Sequence, residues 1–293
     1  MTEMPTADPN SFRLSPTRAD MLADCETRPS NEQDTTLILS NNADRAVIDL
    51  ENGGRLASLQ IDGEEILVTE GTSDTEWGCY PMAPWAGRVR NGNFTWENKA
   101  RQLPINLPPH AIHGTVFGQE WESIVPTSIR CSLGPDWPWP GEVQSFFELN
   151  QGEFVWRIEV HAKTEAFPVV VGWHPWFRRR VAGGDAHLLF EAKEMYVRDD
   201  AGVPTGKRRA PTHGPWDDCF TSVQSNPGIH WPHGLGVELN SSCDHWVIYD
   251  QPSHAICIEP QSAPPDAFNL GGFEVARPGQ PVCHTMRLKW RKT

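Results

Sequence analysis

The sequence predicts an all-β fold, an antiparallel sandwich or barrel with few and short helices. Three observations predict it. Short runs of alternating apolar and polar residues recur with turn signals between them, as at 142–149 and 154–162 around Asn150, Gln151 and Gly152. The segments between such runs are broken by proline and glycine, as at 135–141. Beyond the first 34 residues, no stretch repeats its apolar positions at the spacing of a helix face.

Residues 1–34 are polar, without a sustained period, and read as a tail or arm in which 17–26 could form a short helix. Residues 35–293 are expected to form a single domain, and 293 residues suffice for a substantial core. It opens with a strand at 35–40. A hairpin follows, 45–50 and 55–61 around Glu51, Asn52, Gly53 and Gly54. Asp62 and Gly63 then turn the chain into 65–68. Residues 79–90 fit neither period and read as an ordered loop. Asn91 and Gly92 signal a hairpin turn leading to 94–96. Residues 110–114 form a second such loop, with strands at 120–125 and 129–133 after it. The Pro/Trp segment around Trp137 and Trp139 cannot be regular, and it either lines a site or closes an edge. Past the 142–162 hairpin, Val169, Val170 and Val171 read as a buried strand. Strands are expected at 186–190 and 194–198, mostly loop over 199–236, then strands at 237–239, 246–249, 255–258 and 285–290.

Composition narrows the function. Lys plus Arg number 25 against 38 Asp plus Glu, a net charge of −13. That disfavours nucleic acid and anionic membrane as partners, which need a basic footprint, and leaves a neutral small molecule open. The seven cysteines are odd in number, scattered, and never Cys-x-x-Cys. They read as reduced thiols of a cytoplasmic protein with no zinc site. The first residues lack the basic and apolar regions of a signal peptide, and no run is long enough to span a membrane.

Four segments pair a strand break with a polar group. Arg88 follows Ala83-Pro-Trp-Ala-Gly. His113 sits in His110-Ala-Ile-His-Gly. His174 lies between Trp173 and Trp176, directly before Pro175. Glu259 ends an apolar strand before Pro260. A proline holds the preceding residue extended, so His174 and Glu259 are each expected at a strand end. A carboxylate and an imidazole fixed at strand mouths form a possible base and acid, each worth roughly 10²- to 10⁴-fold when positioned. Trp176 would offer the flat apolar face on which a sugar's C–H face stacks.

These segments, with Asp217-Asp-Cys-Phe and Ile258-Glu-Pro-Gln-Ser-Ala-Pro-Pro-Asp-Ala-Phe-Asn, resemble the ordered motifs of aldose 1-epimerases (galactose mutarotases) over roughly residues 35–290. The resemblance implies a β-supersandwich and a cofactor- and metal-free interconversion of the anomers of a free hexose. It implies Glu259 as general base at the C1 hydroxyl and His174 as general acid at the ring oxygen. His113 would bind near that oxygen, and Arg88 and Asp217 would bind sugar hydroxyls. Such an enzyme would be a monomer or homodimer with a small sugar as its partner. With ordinary values of about 4.3 for Glu and 6.5 for His, near-neutral operation needs His174 raised or Glu259 paired with it.

Some features depart from that pattern. The Asp217-Asp218 doublet leaves the binding carboxylate open by one position. Arg178, Arg179 and Arg180 could hold a phosphate, which points to a hexose-6-phosphate 1-epimerase as the alternative, although a solvated turn explains the triplet too. A non-catalytic carbohydrate-binding or sensing protein on the same fold is the second alternative. A glycoside hydrolase using Asp217 and Glu259 would leave His174 without a task.

Overall fold

The structure, a computed structural model, describes residues 35–292. The expected polar tail, its short helix and Cys25 lie outside the described residues. Among the described residues, eleven strands form one antiparallel sheet and eight form a second, with four two-stranded ribbons beside them. The sole α-helix among them is Ala267–Leu270. The six described cysteines are free, and no helix among the described residues is long and apolar enough to cross a membrane.

The hairpin Gly141–Asn150 with Glu153–Ala162 forms as its alternation predicts, in unbroken register from Gly141↔Ala162 to Asn150↔Glu153. Its inward residues, Val143, Phe147, Trp156 and Ile158 among them, are buried against the large sheet in one continuous core. Trp156 is fully buried, gives its indole N–H to Ser145 Oγ at 3.0 Å, and meets Trp173 of the large sheet edge-on at 6.4 Å. The two sheets thus pack face to face through aromatic side chains, which contribute most per residue to such a core.

Strand Gly172–Arg178 lies at the centre of the large sheet, between Cys79–Met82 and Ala255–Gln261. This corrects three expectations. Residues 79–82, read as loop, are a fully buried strand. A strand covered on both faces need not alternate, so periodicity could not reveal it. The break at the valines falls just before Gly172, after which the chain resumes as strand. His174 and Glu259 therefore sit inside strands, not at their ends. Central prolines are tolerated because the ladder opens there. Pairing between these strands is present at Gly172↔Gln261 and Trp176↔Cys257 and interrupted between them, where Pro175 and Pro260 have no N–H to give.

Further differences follow from weak patterning. The hairpin expected at Asn91-Gly92 turns instead at Glu97 and Asn98, φ 49° and 60°, and Asn91 lies in the 3-10 turn Arg90–Gly92. Residues 65–68 contribute the strand end Glu64–Glu65 and one bridge, Leu67 to Phe177. Residues 199–236, read as mostly loop, also hold Pro204–Arg209, Asp217–Val223, Gly228–His230 and the start of Leu235–Ser241. The first of these is an edge strand whose residues after Pro204 are all exposed, so no apolar face marks it.

Candidate active site

Residues in register on neighbouring strands share a face of the sheet. One row across the large sheet runs Tyr80, His174, Glu259, Val247. Its neighbour two residues along runs Trp176, Cys257, Tyr249, Asp217. Trp173 and Phe177, of opposite parity, turn into the core. The face away from the second sheet therefore carries the polar rows. All six candidate residues, Arg88, His113, His174, Trp176, Asp217 and Glu259, line one cavity of about 440 Å³ there, a size suited to a small molecule.

His174 Nε2 lies 3.2 Å from Glu259 Oε1. The interrupted pairing keeps one register on both sides of the gap, which sets these two residues directly opposite one another. Gln261, two residues on and hence on the same face, donates from Nε2 to Glu259 Oε2 at 3.2 Å. Both members of the pair are buried, His174 at 5% exposure and Glu259 at 2%. Burial, and secondarily the negative charge of Asp217, holds the Glu259 carboxyl well above the usual carboxylate range. Burial, assisted by Arg55, pushes His174 down to about 3. The sequence asked for a raised histidine or a paired glutamate. The structure pairs them and moves the histidine the other way.

The imidazole of His174 is stacked by Tyr80 at 4.8 Å and 23° and by Trp176 at 5.3 Å and 11°. The expected flanking pair Trp173 and Trp176 is thus Tyr80 and Trp176. The Trp176 ring also stacks on His254 at 6.0 Å. Its faces serve these two rings, so its part in the lining is mainly edge.

His113 meets His174 edge-on at 5.2 Å. Its loop is fixed by glycine and amide chemistry. Gly114 has φ +86°, and a Cβ there would lie 1.9 Å from the Ala83 carbonyl oxygen, so only glycine lets the chain pass. Asn106 accepts from Ile112 N–H at 2.7 Å and donates to Ile112 O at 2.9 Å. The short ribbon Arg88↔Ile112 then brings Arg88 beside His113. Burial first, then the nearby His174 and Arg88, keeps His113 well below its ordinary value and neutral. His110 of the same motif is structural: its Nδ1 accepts from Asn91 N–H at 3.1 Å, and Nε2 faces Ala201 O at 3.2 Å.

Of the doublet, Asp217 lines the cavity and Asp218 does not. Arg198 holds both, Nη1 at 3.0 Å from Asp217 Oδ2 and Nε at 2.8 Å from Asp218 Oδ1, while Arg88 Nη2 stands 3.9 Å from Asp217. Tyr80, Tyr249, Gln261 and Arg198 escaped the sequence reading. Period two along 255–261 would have found Gln261. The others need the register of strands far apart in sequence.

Trp137 and Trp139 are buried among Phe94, Phe167 and each other, and line no part of the cavity. The arginine triplet is also elsewhere. Arg178 donates to Leu67 O, Arg179 to the carbonyls of residues 250, 252 and 255, and Arg180 pairs with Asp185. Among the described residues, no group of three or more His, Cys, Asp and Glu side chains is placed to hold a metal ion.

The profile of the aldose 1-epimerase family matches residues 35–289. The chain is 28% identical over 222 residues to the uncharacterized protein YihR of Escherichia coli K12, covering 65% of this chain and 71% of that one. It is 27% identical over 168 residues to the galactose mutarotase of Rattus norvegicus, covering 53% of this chain and 48% of the rat protein, about half its length. Among solved structures, a putative aldose 1-epimerase from Escherichia coli K12 superposes with a TM-score of 0.76 at 19% identity, over 88% of this chain and 99% of that one. A galactose mutarotase-like protein from Clostridium acetobutylicum gives 0.76 at 17%, over 87% and 95%. At such identities these structures establish the β-sandwich fold.

Proposed function

The chain belongs to the aldose 1-epimerase family, and we propose that it interconverts the α and β anomers of a free hexose, with Glu259 as base and His174 as acid. The observation that carries this reading is the 3.2 Å separation of His174 Nε2 and Glu259 Oε1 on the floor of the cavity. Ring opening of a cyclic hemiacetal removes a proton from O1 and delivers one to O5. These two oxygens are bonded to the same carbon, so acid and base must stand side by side.

Glu259 takes the O1 proton, the C1=O1 double bond forms, the C1–O5 bond breaks, and O5 takes the proton of His174. Rotation about C1–C2 turns the other aldehyde face toward O5. Reclosure runs the transfers backward, His174 now the base and Glu259 the acid. The pair shares one proton, which burial places on Glu259 beside a neutral His174 at rest. The reacting carboxylate and imidazolium arise by its transfer across the 3.2 Å contact and end as carboxylic acid and imidazole. The net charge of the pair stays zero, and burial favours the uncharged members. The same desolvation that raises Glu259 and lowers His174 therefore makes the charged tautomer costly to populate and favours the pair as it stands in the ring-opened state. Neutral His113 beside the pair suits a hydrogen bond to the ring oxygen. Arg88 and Asp217 offer a fork donor and an acceptor for hydroxyls.

The test is polarimetry on freshly dissolved α-glucose and α-galactose. Acceleration over buffer is expected. Binding seen by calorimetry with no acceleration would overturn the enzyme in favour of a sugar-binding protein.

A further inference from the structure

We propose that Arg55, which does not line the cavity, is a positioning residue for this reaction: its guanidinium ties together three loops around the site and sets a positive charge behind the imidazole of His174. The inference rests on the acid–base reading above. It begins from the turn Glu51, Asn52, Gly53, Gly54, which leads into strand Arg55–Ile61 and has no other task in the site.

Arg55 is fully buried and, among the described residues, makes no ion pair. Its partners are three carbonyls: Nε to Asn52 O at 2.6 Å, Nη1 to Trp77 O at 3.1 Å and Nη2 to Phe117 O at 3.1 Å. A buried cation with no carboxylate in contact, only Asp74 and Asp49 acting at longer range, is a poor device for stability alone, since an apolar side chain would avoid the desolvation. Two of the partners adjoin the cavity. Trp77 closes the segment 73–76 that forms one rim of the cavity, and Phe117 lines the cavity itself. The Phe117 carbonyl also dictates the glycine: at Gly53, φ +84°, a Cβ would fall 1.9 Å from that oxygen. Gly53 N–H bonds Gln119 O at 3.0 Å. The turn is thus docked on the 116–119 segment so that the guanidinium can reach across it.

The charge is aimed as well. The guanidinium carbon lies 4.1 Å from the Trp77 ring centre and 5.5 Å from that of Tyr80, and Tyr80 stacks on His174. The groups facing His174 are Glu259 from the neighbouring strand, Tyr80 from the other side, His113 edge-on, and His254 beyond Trp176, with Arg88 and Asp217 across the cavity. Behind Tyr80, Arg55 disfavours an imidazolium at 174. That makes His174 a stronger acid toward the ring oxygen. Removing the charge lets His174 keep its proton to higher pH, so the limb of the rate profile that His174 sets moves to alkaline pH.

The experiment compares Arg55→Gln, which is neutral and hydrogen-bonding, with Arg55→Lys, which keeps the charge but loses the fork. The kcat–pH profile is measured for each, alongside an NMR titration of the His174 imidazole assigned with His174→Asn. In Arg55→Gln that limb and the His174 titration are expected to move up by about half a pH unit or more. In Arg55→Lys the limb stays while KM rises several-fold as the rim loosens. An unmoved His174 limb and titration in Arg55→Gln, or equal movement in Arg55→Lys, overturn the proposal. So does a protein that folds only with a cation at 55 and whose Lys variant keeps wild-type kcat and KM, for Arg55 is then structural alone. If the wild-type protein catalyses no mutarotation, the reaction assignment fails, while the titration still reports whether Arg55 acts on His174.

Discussion

Replacing Glu259 with Gln should cost the protein its activity and make it more stable, by an amount that depends on pH. The carboxyl is buried with Asp217 nearby, and its proton affinity is raised in the folded chain. In the unfolded chain it titrates near 4.3. The sign follows: the stability gained from binding that proton is fully present below about 4.3 and is lost as pH rises toward the folded value, at about 1.4 kcal/mol per pH unit. Gln does not titrate. It can still accept from Gln261 Nε2 and give its own N–H to the neutral His174, so hydrogen bonding is kept. His174, lowered to about 3, costs stability as pH falls below its unfolded value near 6.5; this affects both proteins and largely cancels in their difference. Glu259→Gln should therefore melt close to wild type near pH 4.5 and above it at pH 8, each kcal/mol being worth about 2–4 °C at this size. Polarimetry at neutral pH should show kcat lower by about 10²- to 10⁴-fold. A wild-type rate, or a melting difference that does not change between pH 4.5 and 8, would refute the reasoning.

Three other outcomes are expected. Arg198→Met frees Asp217 and Asp218 from their shared guanidinium and should raise KM about tenfold with a smaller change in kcat, since a charge-assisted bond contributes about 1.5–3 kcal/mol and this one is partly exposed; steady-state polarimetry checks it. Hexose 6-phosphates should show a kcat/KM at least about tenfold below the free sugars, because Asp74, Glu76 and Asp217 share the lining with one guanidinium, that of Arg88; equal values would restore the phosphorylated-sugar reading. Trp156→Ala, in the core between the sheets, should lower stability by about 3–5 kcal/mol in denaturant melts and leave the rate of the folded fraction unchanged.

The fold and the site were legible to different depths. Alternation along 141–162 was enough to give that hairpin, because one face is core and the other is water. It fails where both faces are covered, as in Cys79–Met82, or where neither is, as in Pro204–Arg209. The site residues were readable as chemistry at unusual positions: imidazoles and a carboxylate beside proline or glycine, where packing alone would not ask for them. What the sequence hid was register. Nothing local places Tyr80 against His174, or Arg198 on Asp217. Nor could it say that Trp173 turns inward while Trp176 turns to the cavity, because that depends on which face of the strand the second sheet covers.

The prolines beside His174 and Glu259 explain how the pair is held. Each removes a backbone donor where the central ladder should be strongest, so His174 and Glu259 lie in a gap between paired residues. In an isolated sheet such a gap would leave the strands free to shift. Here Gly172↔Gln261 and Trp176↔Cys257 fix the register on either side. Behind the gap, Trp173 is fully buried and rests against Trp156 of the second sheet. The backbone is thus released from hydrogen bonding at the place where, in the proposed reaction, two side chains address oxygens on the same carbon, and packing takes over the positioning. On this account the inward Trp173 is as necessary to the pair as Tyr80 and Trp176. Trp173→Ala should cost turnover as well as stability, whereas Trp156→Ala, one layer further from the chemistry, should cost stability alone.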